Sequence, residues 1–271
     1  MVAVGNRVHL SPTWRTFHDF LRDHLFSLLG KEWLEAEQAK APTERHRILQ
    51  WFDQATEVVR RAGANSDRIY STPMTGAIRA FVNLAYNIYL IAHHTENNGD
   101  AVVKGYIDRL KSTRSNDFAG ALFETYAAAA FLKAGFTLEF ENERDGSASQ
   151  VEFVALYPKT GKPFSVEVKT RDRGAGPTGE DIDDVKRLRV ANKLNKALGK
   201  KAVHMLVVMI EINVPEVVTS YEGWPAAAIE QLRHNEETDF PSGEKKPSAY
   251  VFVTNHAFHN NLVAADAGCR C

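Results

Sequence analysis

The sequence predicts an α-helical N-terminal region over residues 1–112 and an α/β domain over residues 113–271. Three observations predict this division. Helical spacing of apolar side chains dominates the first part, strand-type alternation begins only after Gly135, and the polar run Lys111–Asp117 lies between the two. A chain of 271 residues is long enough for one large or two modest domains.

The N-terminal region is predicted to contain helices and no strands. In the first helix, apolar residues recur every three or four positions between the start signal Ser11-Pro12 and the stop signal Gly30. The same spacing predicts the others, so the helices of this region are Thr13–Leu29, Glu44–Arg61, Thr75–His93 and Ala101–Leu110.

The second region is predicted to have the element order αβββαβαβ. Its two central strands form a hairpin around Pro158 and Gly161. The elements are the helix Asp117–Ala134, the strands Phe136–Glu141, Val151–Ala155 and Phe164–Thr170, the helix Asp181–Leu198, the strand Ala202–Ile212, the helix Trp224–His234 and the strand Ser248–Thr254.

The bulk composition narrows the class of protein. A formal net charge of −1 means that any surface for nucleic acid must be local. The two cysteines, Cys269 and Cys271, are predicted to be free thiols in a reducing compartment. The longest apolar run, Phe81–Ala92, is shorter than the roughly 20 residues that span a bilayer. We therefore expect a cytoplasmic protein with no membrane contact.

The most unusual sequence feature is a charged pair inside an apolar strand. Glu167 and Lys169 are two positions apart, so on a strand they share one face, while Val166 and Val168 share the other. An acid and an ammonium group on such a strand are costly unless they are paired, bound to metal or placed at a cleft.

Three segments together resemble the PD-(D/E)XK nuclease superfamily: Phe123-Glu124 in the alanine-rich helix, Val151-Glu152 at the second strand and Glu167-Val168-Lys169 in the third. The resemblance runs from about Asn116 to the last strand. It implies a restriction-endonuclease-like core, αβββαβ, with a mixed central sheet flanked by helices. One departure is Glu152, where the family commonly has Asp, often after Pro; Asp145 is the alternative if that strand begins earlier.

The resemblance also implies an active site. Glu124, Glu152, Glu167 and Lys169 would be catalytic, with Mg²⁺ or Mn²⁺ as cofactor. Glu152, Glu167 and the Val168 carbonyl would hold one ion, and Glu124 would bind a second ion or hold one of its waters. Such a hard cation needs few carboxylates, and it can make water nucleophilic. Lys169 would orient that water or pair with a phosphate oxygen. Without metal, Glu167→Gln is expected to be neutral or stabilising, because it relieves repulsion with Glu152.

Basic residues after Lys169 predict contacts with a phosphate backbone. The predicted nucleic-acid-binding residues are Arg171, Arg173, Lys186, Arg187, Arg189 and Lys193, with Lys196, Lys200 and Lys201 following them. The alternative interpretation is an ordinary exposed helix with acids at its start and lysines toward its end. His256 and His259 are expected to be structural or surface residues.

The predicted function is metal-dependent hydrolysis of phosphodiester bonds, in DNA rather than RNA by family analogy. The helical N-terminal region would recognise substrate, form a homodimer or bind a partner protein. Two alternatives remain open. Because of the departure at Glu152, the domain could be a catalytically inactive nuclease-fold module that binds nucleic acid or protein. It could also be an α/β protein with no role in nucleic-acid metabolism.

Overall fold

The computed structural model describes residues 1–63, 71–95, 99–140, 151–170, 188–214 and 223–262, and these form two compact units. The first unit contains Met1–Thr125 and the described residues from His256 onward. The second contains Tyr126–Val214 and the described residues up to Asn255. The units divide the chain inside a helix, whereas the sequence predicts the division at residue 112, in the polar connection before that helix.

The first unit is built mainly of helices. Their bounds are α1 Phe17–Leu29, α2 Lys31–Gln38, α3 Arg47–Gly63, α4 Gly76–His94, α5 Gly99–Leu110 and the first part of α6 Ser115–Lys133. The four predicted helices of this region are confirmed within a few residues, and the short α2 was not predicted. Helix α4 is extensively buried and packs against α1, α3 and α5. Among the described helices, none combines the length and apolar character needed to cross a membrane.

A short β-hairpin precedes these helices, so the prediction of no strands in this region was wrong. Strands β1 (Val2–Val4) and β2 (Arg7–His9) pair antiparallel around Gly5-Asn6. Gly5 has φ +57°, which favours glycine at the first central position of a two-residue turn. Strands of three residues are too short to show a clear alternation, and the glycine–asparagine turn was the available signal.

The second unit contains a mixed five-stranded sheet with strand order β3-β4-β5-β6-β7. The strands are β3 Thr137–Phe140, β4 Phe153–Tyr157, β5 Lys162–Thr170, β6 Met205–Glu211 and β7 Ala249–Thr254. The first three pair antiparallel, and β5, β6 and β7 pair parallel. For the described residues of this unit and the first part of α6, the predicted order αβββαβαβ is confirmed.

Helices cover both faces of this sheet. On one face, Phe131 of α6 packs edge-on against Phe153 of β4, with ring centroids 5.7 Å apart. On the other face, α7 (Val190–Leu198) and α8 (Trp224–Glu236) form a buried apolar cluster with β6 that includes Val208. Because Glu167 is aligned with Val208 in the parallel β5–β6 pair, the face that carries Glu167 is the one covered by α7 and α8.

The predicted helix Asp181–Leu198 is only partly confirmed. Helix α7 begins at Val190, and Arg189 before it has a left-handed φ of 56°, so no continuous helix passes through this position. Leu188 and Val190 on either side are both fully buried in the apolar cluster. Anchoring both of these side chains fixes the chain around Arg189 in the left-handed conformation. Residues 181–187 lie outside the described part of the chain.

Candidate functional site

The centre of the candidate site is the carboxylate of Glu167, in the middle strand of the sheet. The side chain is fully buried, with 0% exposure, whereas that of Lys169 is 22% exposed. The two project from the same face of β5, as predicted, and the Lys169 ammonium donates a hydrogen bond to Glu167 Oε1. The acid and the ammonium group, whose burial on an apolar strand would be costly, therefore neutralise each other.

A second lysine reaches the same carboxylate from a different element. Lys200 follows α7, and its Nζ lies 2.9 Å from Glu167 Oε2. This contact is ionic only, because Oε2 is buried and receives no hydrogen bond of acceptable geometry. The sequence had grouped Lys200 with the basic residues for phosphate contacts and gave no sign that it meets the acids.

Glu152 joins this cluster from the residue just before β4. Its backbone N–H donates to the carbonyl of Val166, 3.0 Å away, which holds it beside the β5 strand. Its Oε1 lies 3.8 Å from Lys200 Nζ, and its side chain is 24% exposed. The structure therefore brings together Glu152, Glu167 and Lys169 as predicted, and it adds Lys200 between the two acids.

Glu124 lies in the first unit and has a different partner. Its carboxylate accepts two hydrogen bonds from the guanidinium of Arg109 on α5, at 2.6 and 2.5 Å. Gly120, one turn earlier on α6, permits this approach, since a Cβ there would lie 3.0 Å from Arg109 Nη2. Such a two-pronged pair is geometrically specific and explains why this acid can be buried. A metal-linked role for Glu124 stays a prediction.

We expect Glu124→Gln to lower the free energy of unfolding by about 1–2 kcal/mol, because it replaces the carboxylate of the two-pronged ion pair by a neutral amide. The expected loss of stability is small because the Arg109 side chain is 34% exposed, so that water screens its charge. Urea unfolding measures the loss. The apolar double variant Arg109→Met/Glu124→Leu should recover most of it, since neither charge is then left alone. Unchanged stability in Glu124→Gln would contradict the pair.

The predicted nucleic-acid contacts are only partly described. Arg189 is exposed at the start of α7. Lys193, one turn further, donates from Nζ to the carbonyl of Thr170 at the end of β5, 2.5 Å away. Lys193 is thus engaged in the fold where the sequence predicted a phosphate contact. The predicted residues outside the described part of the chain are Asp145, Arg171, Arg173, Lys186, Arg187, Cys269 and Cys271.

Glu152 and Glu167 are the carboxylates of this cluster that could hold a divalent cation. The described ranges contain no group of three or more His, Cys, Asp or Glu side chains that could hold a metal. Mg²⁺ does not need one, because it binds through one or two carboxylates and keeps several waters. Glu152 and Glu167 supply two carboxylates, and Glu167 Oε2 is a buried oxygen without a hydrogen-bond donor. Two carboxylates are a donor set that Mg²⁺ or Mn²⁺ accepts, so a divalent cation here stays a prediction. The Val168 side chain is buried, and its carbonyl as a ligand stays a prediction.

Two further buried titratable residues, His259 and Glu211, have partners within the fold. His259 is buried, and its ring stacks on Trp51 with centroids 5.5 Å apart. Burial, helped by the nearby charges of His256 and Arg47, holds the pKa of His259 well below its usual value, which suits a structural role. Glu211, which the sequence analysis did not single out, is buried at the end of β6 and accepts a hydrogen bond from the Thr254 hydroxyl, 2.8 Å away.

Comparison with protein-family models, with curated proteins and with solved structures found no match.

Proposed function

We propose that the second unit has a restriction-endonuclease-like fold and carries a metal-dependent nuclease site that hydrolyses phosphodiester bonds. The observation that supports this most is the meeting of Glu152, Glu167 and Lys169 in one cluster at the antiparallel β4–β5 pair. The element order αβββαβαβ is compatible with the same proposal.

Glu152 and Glu167 would hold Mg²⁺ or Mn²⁺, with the Val168 carbonyl as a further ligand, and Glu124 would bind a second ion or hold one of the waters of the first. When bound, such an ion lowers the pKa of a water and neutralises charge on the phosphate. Glu167 would fix the geometry of the site, since its buried carboxylate cannot reorient freely. Lys169, partly exposed beside it, would position the attacking water or stabilise a phosphate oxygen.

The proposed substrate is DNA rather than RNA, by the family analogy given above. The exposed Arg189 at the start of α7 supports contact with a phosphate backbone. Arg171, Arg173, Lys186 and Arg187 would extend this contact. The helical first unit would bind substrate, a second copy of the chain or a partner protein, and the cytoplasm is the proposed location.

A second candidate function is a non-catalytic module that binds nucleic acid or protein. The observation that favours it is the pairing of both Glu167 oxygens with lysines, because this site is electrostatically satisfied without metal. Glu152 stands where the resembled family commonly has aspartate, and this difference also favours a non-catalytic module.

Cleavage of a mixed substrate panel tests the proposal. The panel is supercoiled plasmid, linear duplex, single-stranded DNA and structured RNA, each with Mg²⁺, Mn²⁺ or EDTA. We expect cleavage of a DNA substrate with either metal and none in EDTA, since the carboxylates alone cannot activate water. If the folded protein cuts none of these substrates with either metal, the proposed nuclease activity is contradicted. DNA binding that weakens as salt rises would then identify the binding module.

A further inference from the structure

The position of Lys200 is the feature of this site that the proposed mechanism does not use. A single ammonium group lies 2.9 Å from Glu167 Oε2 and 3.8 Å from Glu152 Oε1. It comes from outside the strands that carry the acids, because Lys200 follows Gly199 at the end of α7. One positive charge is thus placed where it attracts both predicted metal ligands.

We propose that Lys200 is a built-in counter-cation that holds the Glu152–Glu167 pair when no metal is bound and competes with the divalent cation for it. This inference rests on the proposed function, because it concerns the same two carboxylates. It assigns Lys200 a positioning role and a part in controlling metal affinity, rather than the phosphate contact predicted from the sequence.

The first step is that a metal ion bound to both acids and the Lys200 ammonium need the same space. An ion that binds both Glu152 and Glu167 must approach each carboxylate to about 2.0–2.1 Å in the case of Mg²⁺. Lys200 Nζ already contacts one oxygen of each carboxylate. An ammonium and a divalent cation cannot share this space, because of overlap and because like charges repel more strongly in a partly buried site. Binding of the metal therefore requires the Lys200 ammonium to withdraw.

The second step is that the two lysines are not equivalent. Lys169 donates a hydrogen bond to Glu167 Oε1, whereas Oε2, which faces Lys200, receives none. Lys200 also contacts Glu152, whereas the described ion contact of Lys169 is with Glu167. Of the two cations beside Glu167, Lys200 is therefore the one that lies between the two acids, where a metal bound to both of them would lie.

The third step is that the ammonium has space to move into. The Lys200 side chain is 20% exposed and also lines an open surface cavity, together with Lys201, His204, Met205 and Pro247. A lysine has a flexible four-carbon stem, so its charged end can move from the acids toward solvent while the stem stays packed. The structure thus provides both the cation to be displaced and the place it goes.

Calorimetric titration with Mn²⁺ tests this inference without any measurement of cleavage. Lys200→Met removes the competing charge and keeps a chain of similar length, so its dissociation constant for Mn²⁺ should fall by about tenfold or more. Lys200→Arg keeps the charge and should remain near the wild-type value. Lys201→Met is the matched control: it removes the same charge from an exposed neighbour and should change the constant by less than about twofold.

The outcomes separate the two proposals. If Glu167→Gln abolishes Mn²⁺ binding while Lys200→Met binds no more tightly than the wild type, the competition is disproved and the metal site stands. If neither the wild type nor Lys200→Met binds Mn²⁺, both the competition and the metal-dependent function are disproved. Binding by Lys200→Met alone would support both.

A second measurement uses the wild-type chain and does not depend on a variant that folds. Lysine acylation by an activated ester, read by mass spectrometry, reports the accessibility of each ammonium group. Saturating Mg²⁺ should raise the acylation rate at Lys200 several-fold and leave Lys201 unchanged as an internal reference. An unchanged rate at Lys200, in protein shown by calorimetry to be loaded with Mg²⁺, would overturn the inference.

Discussion

Lys169→Ala is expected to lower the rate of metal-dependent cleavage by about 10²–10⁴-fold, the usual range for removing a group that positions a proton or water in the transition state. The protein should stay folded, because Lys200 remains 2.9 Å from Glu167 and still compensates the buried charge. Single-turnover cleavage of the preferred substrate measures the loss, with urea unfolding of the same samples as the folding check.

Lys169→Arg separates catalysis from ion pairing. It keeps the positive charge beside Glu167 Oε1, so stability should stay close to that of the wild type. Cleavage should remain low, because a planar guanidinium cannot replace a compact ammonium at the reacting atoms. Recovery of both stability and cleavage by arginine would show that only the charge at this position is needed. Full activity in Lys169→Ala would remove Lys169 from the mechanism.

Most of the second unit was predictable because its signals are local. Helix α6 ends before Gly135, which has a positive φ, and period-two patterns mark the strands that follow. The order αβββαβαβ follows from such signals alone. The break at Arg189 does not, because it depends on burying both Leu188 and Val190 in a cluster formed by distant elements.

Some contacts of the candidate site were likewise predictable from local sequence patterns, and others were not. A two-residue period places Glu167 and Lys169 on one face of any strand, so their contact was predictable. Lys200 is a full helix away from these residues in the sequence, and only the packing of α7 brings it to the acids. The Arg109–Glu124 pair likewise depends on how α5 and α6 meet, which no spacing in the sequence specifies.

Lys200 also changes the expected effect of Glu167→Gln on the metal-free protein. From the sequence, repulsion between Glu167 and Glu152 predicts a neutral or stabilising substitution. In the structure, Glu167 is fully buried and in contact with two ammonium groups that are 22% and 20% exposed. Neutralising the acid removes the carboxylate to which Lys169 is hydrogen-bonded and the shorter of the two described carboxylate contacts of Lys200, both in a poorly hydrated place. This cost exceeds the repulsion relieved, because Glu152 is partly exposed and already lies near Lys200.

We therefore expect Glu167→Gln to lower the free energy of unfolding in EDTA by about 3 kcal/mol. Glu152→Gln is the matched control and should cost at most about 1 kcal/mol, since its contact with Lys200 is longer, at 3.8 Å, and its side chain is 24% exposed. Adding Lys200→Met to Glu167→Gln should restore part of the loss, because it removes one of the two ammonium groups that Glu167 neutralised. Equal or greater stability in Glu167→Gln would show that repulsion between the acids outweighs their pairing with lysine, as the sequence alone suggests. A loss near 3 kcal/mol would show that the metal-free site is held by its lysines, which is the state from which a divalent cation must displace Lys200.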